Sequence, residues 1–211
     1  MPQGYAIDEF RDEGIMFEGG HAPLDITAAS ITSYGPGFIA LMEKYTRSIG
    51  FGFMVQDTSR GRVRLGATGE PLITYWVNSR DVSRMQRGHA IMARVYFAGG
   101  AKEVHPTVFG WEKMTSLADV DAFERASLSA RHVDLTAYHP LGTCRMGHDP
   151  LTSVVDTTHE THDVHNLFIC DGSTVAGSLG VNPQATIMAM ALRASEFIER
   201  RVEKLHASLA A

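Results

Sequence analysis

Apolar residues return along this chain in two rhythms, one near every third or fourth position and one near every second, and each predicts a different element. Residues 38–48 (FIALMEKYTRS) follow the first and predict a helix. Residues 62–65 (RVRL) and 72–77 (LITYWV) flank GATGEP and predict two strands joined by a glycine turn. From Asp81 the stripe Val82, Met85, His89, Met92 and Tyr96 predicts a helix, with Asp81 as N-cap and a stop at Gly99-Gly100. Residues 104–108 read as a short strand. Residues 116–130 read as a helix whose SLAD start resembles a capping box ending in Asp. Two more short strands are expected at 153–156 (SVVD) and 166–170 (NLFIC). The clearest helix is the last, with Asn182 as N-cap and Pro183 at the first helical position, where its missing N–H costs nothing. Its buried stripe is Ile187, Met190, Ala191, Ala194, Ile198, Val202 and Leu205. The first ~50 residues are irregular and glycine-rich, with FEGGHAPLDITAAS and YGPG as turn signals.

At 211 residues the chain can hold one core, or one and a half domains of ordinary size. Its 44% hydrophobic and 20% charged content is that of a soluble globular protein. A net charge of -5 with no basic cluster argues against nucleic acid as a partner. No apolar run approaches the ~18 residues of a membrane span, and the start MPQGYAIDEFRDEG has acids where an export signal has a basic and then an apolar region. A soluble, cytoplasmic chain is the expectation. Cys144 and Cys170 are the two cysteines, too few for a disulfide framework, and read as reduced core thiols.

The order YHPLGTCRMG, residues 138–147, serves no helix or strand. Pro140 forces His139 into an extended backbone, and Gly142 allows a sharp turn directly after it. Spacing alone leaves two readings, a core histidine satisfied by hydrogen bonds and a held functional group. A second stretch, GSLGVNPQAT, has Gly177 and Gly180 just before the last helix begins. The N–H groups of that first turn favour an anion or developing negative charge. His148, His159, His162 and His165 crowd together without a metal-ligand pattern, and read as a solvated polar loop. Ser173 and Ser178 lie near glycines but make no G-x-S-x-G elbow, so a serine hydrolase is disfavoured. Arg145 reads as a brace for its turn and Met146 as core filling.

YHPLGTCRMG, then SVVD, then NLFICDGSTVAGSLGVNPQATIMAMALRASEFI resembles the C-terminal portion of the glucose-methanol-choline (GMC) oxidoreductases, flavoenzymes that use FAD to oxidise alcohols. The likeness is specific over residues ~136 to ~200 and looser before. There GRVRLGATGEPLITYWV and the following helix resemble the family's substrate domain, a sheet backed by helices. The resemblance implies His139 as catalytic base and Tyr138 beside it at the substrate pocket. It implies Asn182 as the second active-site position, histidine or asparagine in the family. Asp171 and Gly172 would form a flavin-contacting turn, and Pro183, Gln184 and Thr186 a helix start facing the flavin's pyrimidine end.

The family's G-x-G-x-x-G unit, which holds the FAD diphosphate, has no counterpart here; GFGFMV at 50–55 lacks the third glycine. The expected fold is therefore α+β. Residues 1–135 would form a substrate-binding portion, and residues 136–211 the C-terminal strands and helix of an α/β FAD-binding domain without its Rossmann N-terminal unit. The expected function is oxidation of the CH–OH group of an alcohol or sugar, with a separate or missing N-terminal Rossmann segment as partner. The competing reading is a non-catalytic remnant or assembly module. On either, the isolated chain is expected to bind FAD weakly or not at all, and SVVD and NLFIC to form open strand edges.

Overall fold

A Cβ placed on Gly88 would stand 2.5 Å from the ring of Phe53, so only glycine lets the chain's first long helix lie this close to its sheet. The computed structural model that shows this describes residues 3–20 and 23–209. Residues 21 and 22, part of the FEGGHAPLDITAAS turn signal, lie outside them. Strands β1 (Gln3–Ile7), β2 (Ile15–Gly20) and β3 (Phe51–Val55) form an antiparallel sheet in that order. Short helices α1 (Leu24–Ala29) and α2 (Pro36–Met42) connect β2 to β3. The predicted helix over 38–48 thus breaks after Met42 and continues as a single 3-10 turn, Tyr45–Arg47. GFGFMV is largely β3, with no helix after it.

Strands β4 (Arg60–Leu65) and β5 (Pro71–Trp76) form a separate two-stranded sheet, as the apolar rhythm predicts. Helices α3 (Ser79–Ala98), α4 (Leu117–Arg125) and α5 (Gln184–Leu209) follow, and among the described residues none is long and apolar enough to cross a membrane. The chain divides into two units, residues 1–61 with 74–136, and residues 62–73 with 137–211.

The first unit is built on α3. Ile91 packs with Ile15 and Phe17 of β2, while Ala90 and Ala93 join Val120 and Phe123 of α4. His89, 9% exposed, lies edge-on between the Phe53 and Phe123 rings, with centroids at 4.9 and 6.4 Å. Burial among these rings pushes its pKa down to about 4.

The N-cap of α3 is Asn78, not Asp81. The Asn78 side chain accepts the Asp81 N–H at 2.9 Å, and Asp81 turns inward. Its fully buried carboxylate accepts the backbone N–H and the hydroxyl of both Thr58 and Ser59. Burial raises the pKa of Asp81, but the hydrogen bonds from Ser59 and Thr58 outweigh it, and the net shift is downward. The loop before β4 thus recruits the residue that sequence assigned to the helix end.

Helix α4 starts with the expected capping box of Ser116 and Asp119, but it stops at Arg125 instead of Ala130. Gln86 Nε2 donates to the carbonyls of Phe123 and Ala126 at 2.6 and 2.9 Å, which satisfies the helix's last acceptors and lets the chain turn away. Residues 104–108 form no strand; Val104 and Val108 each make a single bridge, to Met114 and Val133.

In the second unit SVVD and NLFIC are not strands either. Val155, fully buried, bridges Met146 on one side and Thr161 on the other, and Phe168 bridges Glu160. Both sides of Val155 are occupied, so the open edge expected at SVVD is absent. Arg201 on α5 pairs with Glu160 at 2.6 Å. The predicted stripe of α5 is fully covered at Ala194, while Val202 and Leu205 remain 43% exposed.

His89 makes stability depend on acid. Its folded pKa lies below the unfolded value, so the unfolded chain binds more protons, and stability falls as pH drops from about 6.5 toward 4. His89→Phe should flatten that slope by about 2–3 kcal/mol across the window, measured by urea unfolding at pH 7 and 4.5. Asp81→Ala should cost about 2–4 kcal/mol at pH 7, because it strands the Thr58 and Ser59 donors; an unchanged urea midpoint would refute the role of that carboxylate.

Candidate active site

Three segments of the second unit meet around Gly172. A Cβ there would stand 3.0 Å from Ile187 Cδ1 and 3.1 Å from Leu141 Cδ2. The turn DGS, the HPLG segment and the first turns of α5 therefore interlock through one absent side chain. The motif then runs alongside the 171–176 segment. The Cys144 N–H donates to the Ser173 carbonyl at 3.0 Å, and the Met146 N–H to the Thr174 carbonyl at 2.9 Å. Gly142 makes the approach possible. Its φ is +79°, a region glycine enters without strain, and a Cβ on it would lie 3.2 Å from the Val175 carbonyl oxygen. Thr174 and Val175 beneath it are buried. Cys144 and Cys170 are free thiols, both half-buried, and burial followed by the nearby Asp171 charge pushes Cys170 upward.

All eight residues singled out in the sequence lie in the second unit. Tyr138 is 69% exposed and His139 is exposed, so His139 is not a hydrogen-bonded core histidine. Asp171 caps the 3-10 turn Gly172–Thr174, accepting the Ser173 N–H at 2.8 Å. Both Asp171 and Gly172 thus have work in the fold itself.

The start of α5 differs by one residue from expectation. Its first internal bond runs from the Ile187 N–H to the Pro183 carbonyl at 2.9 Å, so Pro183 takes the N-cap position and Asn182 precedes it. Pro183 is fully buried; Asn182 is half-buried, with its Oδ1 sealed from solvent. The N–H groups of Gln184, Ala185 and Thr186 come before that first bond and have no partner within the helix. These three residues are exposed. Gly177 has nothing within 4 Å of the position a Cβ would take, and Gly180 has φ +70°.

The histidine cluster does not behave as one solvated loop. His159 is fully buried with φ +70°, and its Nδ1 meets the Ile169 carbonyl at 3.1 Å. His162 Nε2 lies 3.0 Å from Ser153 Oγ and 3.2 Å from the Gly147 carbonyl. His148 and His165 are exposed. The signal for this was Asp156, whose carboxylate accepts the N–H groups of Thr158 and Glu160. Such an Asx turn reverses the chain and carries His159 inward.

In the first unit Glu103 pairs with Lys113 and Lys44, each at 3.0 Å, and with His105 at 3.3 Å. Hydrogen bonds from Lys113 and then Lys44 push its carboxyl down to about 2. A cleft of about 260 Å³ beside it is lined by Leu41, Lys44 and His105. It contains none of the motif residues.

Residues 57–191 match the family model described as GMC oxidoreductase. An uncharacterised GMC-type oxidoreductase of Mycobacterium tuberculosis is 30% identical over 196 residues, which is 92% of this chain and 31% of that protein. A 2-methyl-1,2-propanediol dehydrogenase of Mycolicibacterium austroafricanum is 50% identical over 64 residues, covering 30% of this chain and 12% of its own length. The crystal structure of pyridoxine 4-oxidase from Mesorbium loti is similar with a TM-score of 0.53 at 23% identity, over 89% of this chain and 34% of that one. That likeness shows the fold, a mixture of helix and sheet. This chain spans about a third of the length of the mycobacterial relative that it matches across 92% of its own residues. With its two motifs inside the matched region, the chain belongs to the GMC oxidoreductase family and corresponds to the C-terminal portion of it.

Proposed function

We propose that this chain carries the proton-handling residues of an FAD-dependent enzyme that oxidises the CH–OH group of an alcohol or sugar. The observation that carries the reading is the interlock of Leu141, Gly172 and Ile187, which brings the histidine motif, the DGS turn and the helix start to one place. An alcohol as substrate class is supported by the diol dehydrogenase relative. In this reading residues 1–135 contribute the substrate-binding portion and residues 136–211 the flavin-facing portion.

The residues present fit a flavin's pyrimidine end. The exposed first turn of α5 offers N–H groups and the positive end of the helix dipole. Asp171, Gly172, Pro183, Gln184 and Thr186 would hold it. Bound there, FAD supplies the two-electron acceptor for the alcohol carbon.

The chain's own residues do the rest. His139 is held extended by Pro140 and followed by the turn at Gly142, and it is exposed, so its imidazole is open to accept the alcohol proton. Asn182, half-buried just before Pro183, can donate its amide N–H to the same oxygen without competing for its proton. Tyr138 would line the pocket beside His139. The N-terminus of α5 favours the negative charge that accompanies oxidation. A further polypeptide segment that binds the nucleotide end of FAD is the partner this reading requires.

Titrated alone with FAD, the chain should show no stoichiometric yellow complex, and one that survives gel filtration would overturn the need for another segment. Combined with a polypeptide supplying the nucleotide-binding segment, it should bleach flavin absorbance when alcohols are added. His139→Ala should slow that bleaching by about 10²–10⁴-fold. Undiminished bleaching would remove His139 as base.

A further inference from the structure

His159 is fully buried and has a left-handed backbone, with φ +70°, and the proposed chemistry makes no use of it. Among residues other than glycine, asparagine, aspartate and histidine enter that region most readily. The backbone bonds around it show what the side chain does there.

Glu160 bridges Phe168 in antiparallel fashion. The flanking bonds run from the Thr161 N–H to the Leu167 carbonyl at 2.8 Å and from the Ile169 N–H to the His159 carbonyl at 3.1 Å. In a regular ladder, opposed residues at such a position exchange both of their bonds. His159 would therefore return its own N–H to the Ile169 carbonyl. That N–H instead donates to the Asp156 carbonyl at 3.1 Å, within the Asx turn. The Ile169 carbonyl is left to the His159 ring, whose Nδ1 lies 3.1 Å away. A carbonyl oxygen only accepts, so Nδ1 carries the proton. The other ring nitrogen, Nε2, is sealed from solvent and has no partner among the described residues. The polar work of the ring is done through Nδ1.

What this bond holds lies just beyond it in the chain. Ile169 leads through Cys170 into Asp171 and Gly172, and Gly172 is where Leu141 and Ile187 close in. The other arm of the reversal is anchored too, since Glu160 receives Arg201 of α5 at 2.6 Å and the Asn166 N–H at 2.8 Å. Helix α5 thus meets both arms, one at Glu160 and the other at Gly172, and the His159 ring ties the arms together.

We infer that His159 is a positioning residue, whose ring N–H replaces the backbone N–H taken by the Asp156 turn and so fixes the Ile169 carbonyl and the DGS turn after it. Fully buried, it touches neither alcohol nor flavin. Its service to the flavin rests on the function proposed above, whereas the clamp on Ile169 does not.

Three substitutions test it. In asparagine the amide nitrogen hangs from Cγ as Nδ1 does in histidine, so His159→Asn keeps a donor in place and tolerates the positive φ. His159→Leu keeps bulk and loses the donor; His159→Gly also loses it but is free of strain at that φ. In the leucine and glycine variants, hydrogen exchange at the Ser173, Cys144 and Met146 amides should quicken about tenfold or more, the effect of orphaning a buried acceptor. Amides of α3 in the first unit should keep their rates, and His159→Asn should restore wild-type exchange throughout. Combined with a polypeptide supplying the nucleotide-binding segment, the leucine variant should need about tenfold more FAD for half-maximal bleaching, a loss of the same size, and the asparagine variant no more than wild type. Unchanged amides in the leucine and glycine variants, or an asparagine variant that restores nothing, would overturn the inference. So would faster exchange with no change in the FAD required. A wild-type assembly that never bleaches would count against the proposed function, and the amide rates would then decide the clamp. If the leucine and glycine variants fail to fold, the ¹⁵N shifts of the wild-type His159 ring decide: a protonated Nδ1 with a bare Nε2 upholds the clamp, and the opposite tautomer removes it.

Discussion

The hydrogen bonds from the Cys144 and Met146 amides to the Ser173 and Thr174 carbonyls decide where the histidine motif lies. The segment between Thr136 and α5 contains no regular strand, so it lacks the repeating ladder that normally pairs buried backbone groups. It uses single bridges and side-chain acceptors instead, because a buried N–H left unpaired costs as much as a lost hydrogen bond. Asp156 takes two amides, Asp171 one, and Val155 bridges in both directions. With so few alternatives, moving one strand of this weave would leave several donors unsatisfied at once. That is why a chain without a sheet here can still hold Cys144 and Met146 against the segment that follows the DGS turn.

Glycine and proline set the approach distances within that weave. Gly142 admits the Val175 carbonyl, Gly172 admits Leu141 and Ile187, and Pro183 buries its ring at the head of α5. Each answers a local packing demand, and together they bring polar side chains to the exposed side. The first unit uses the same device, with Gly88 admitting Phe53. The difference lies in what surrounds the contact. Gly88 sits among aromatic rings and serves a dry core, while Gly172 is flanked by Asp171 and by residues leading to an exposed helix start.

Elements whose stability comes from one amphipathic face were legible in the sequence. The stripe of α3 follows from the spacing of apolar residues alone, and so does the existence of α5 and of the β4–β5 hairpin, although the α5 stripe is buried only at Ala194 and the hairpin is exposed throughout. What failed were assignments that depend on distant partners. Asp81 was read as a cap because Asp is a good cap, but two amides and two hydroxyls about twenty residues earlier claim its carboxylate. SVVD and NLFIC are apolar runs, and such a run says that residues are buried without saying that they pair in a ladder. His159 was read as solvated because its neighbours are polar. Its burial follows from the turn that Asp156 imposes, a geometric signal that composition does not carry. The candidate site was legible only through the resemblance; spacing alone favoured a core histidine at 139, and the structure exposes it.

The two roles open to Asp171 and Gly172 need not compete. Asp171 spends one carboxylate oxygen on the Ser173 amide, and an ionised carboxylate has about four acceptor positions in all. Gly172 is required by Leu141 and Ile187 whether or not a flavin is present, so its identity alone argues for neither role. The helix start is different. Gln184, Ala185 and Thr186 stand exposed with N–H groups that precede the first bond within the helix. A helix that only needed to end well would place a side-chain acceptor at its N-cap, and α3 does so with Asn78. α5 instead has Pro183 there, a residue with no side-chain acceptor. In the reading proposed above that terminus would face an outside acceptor, and the proposal of an anionic group there rests on this contrast more than on either residue of the DGS turn.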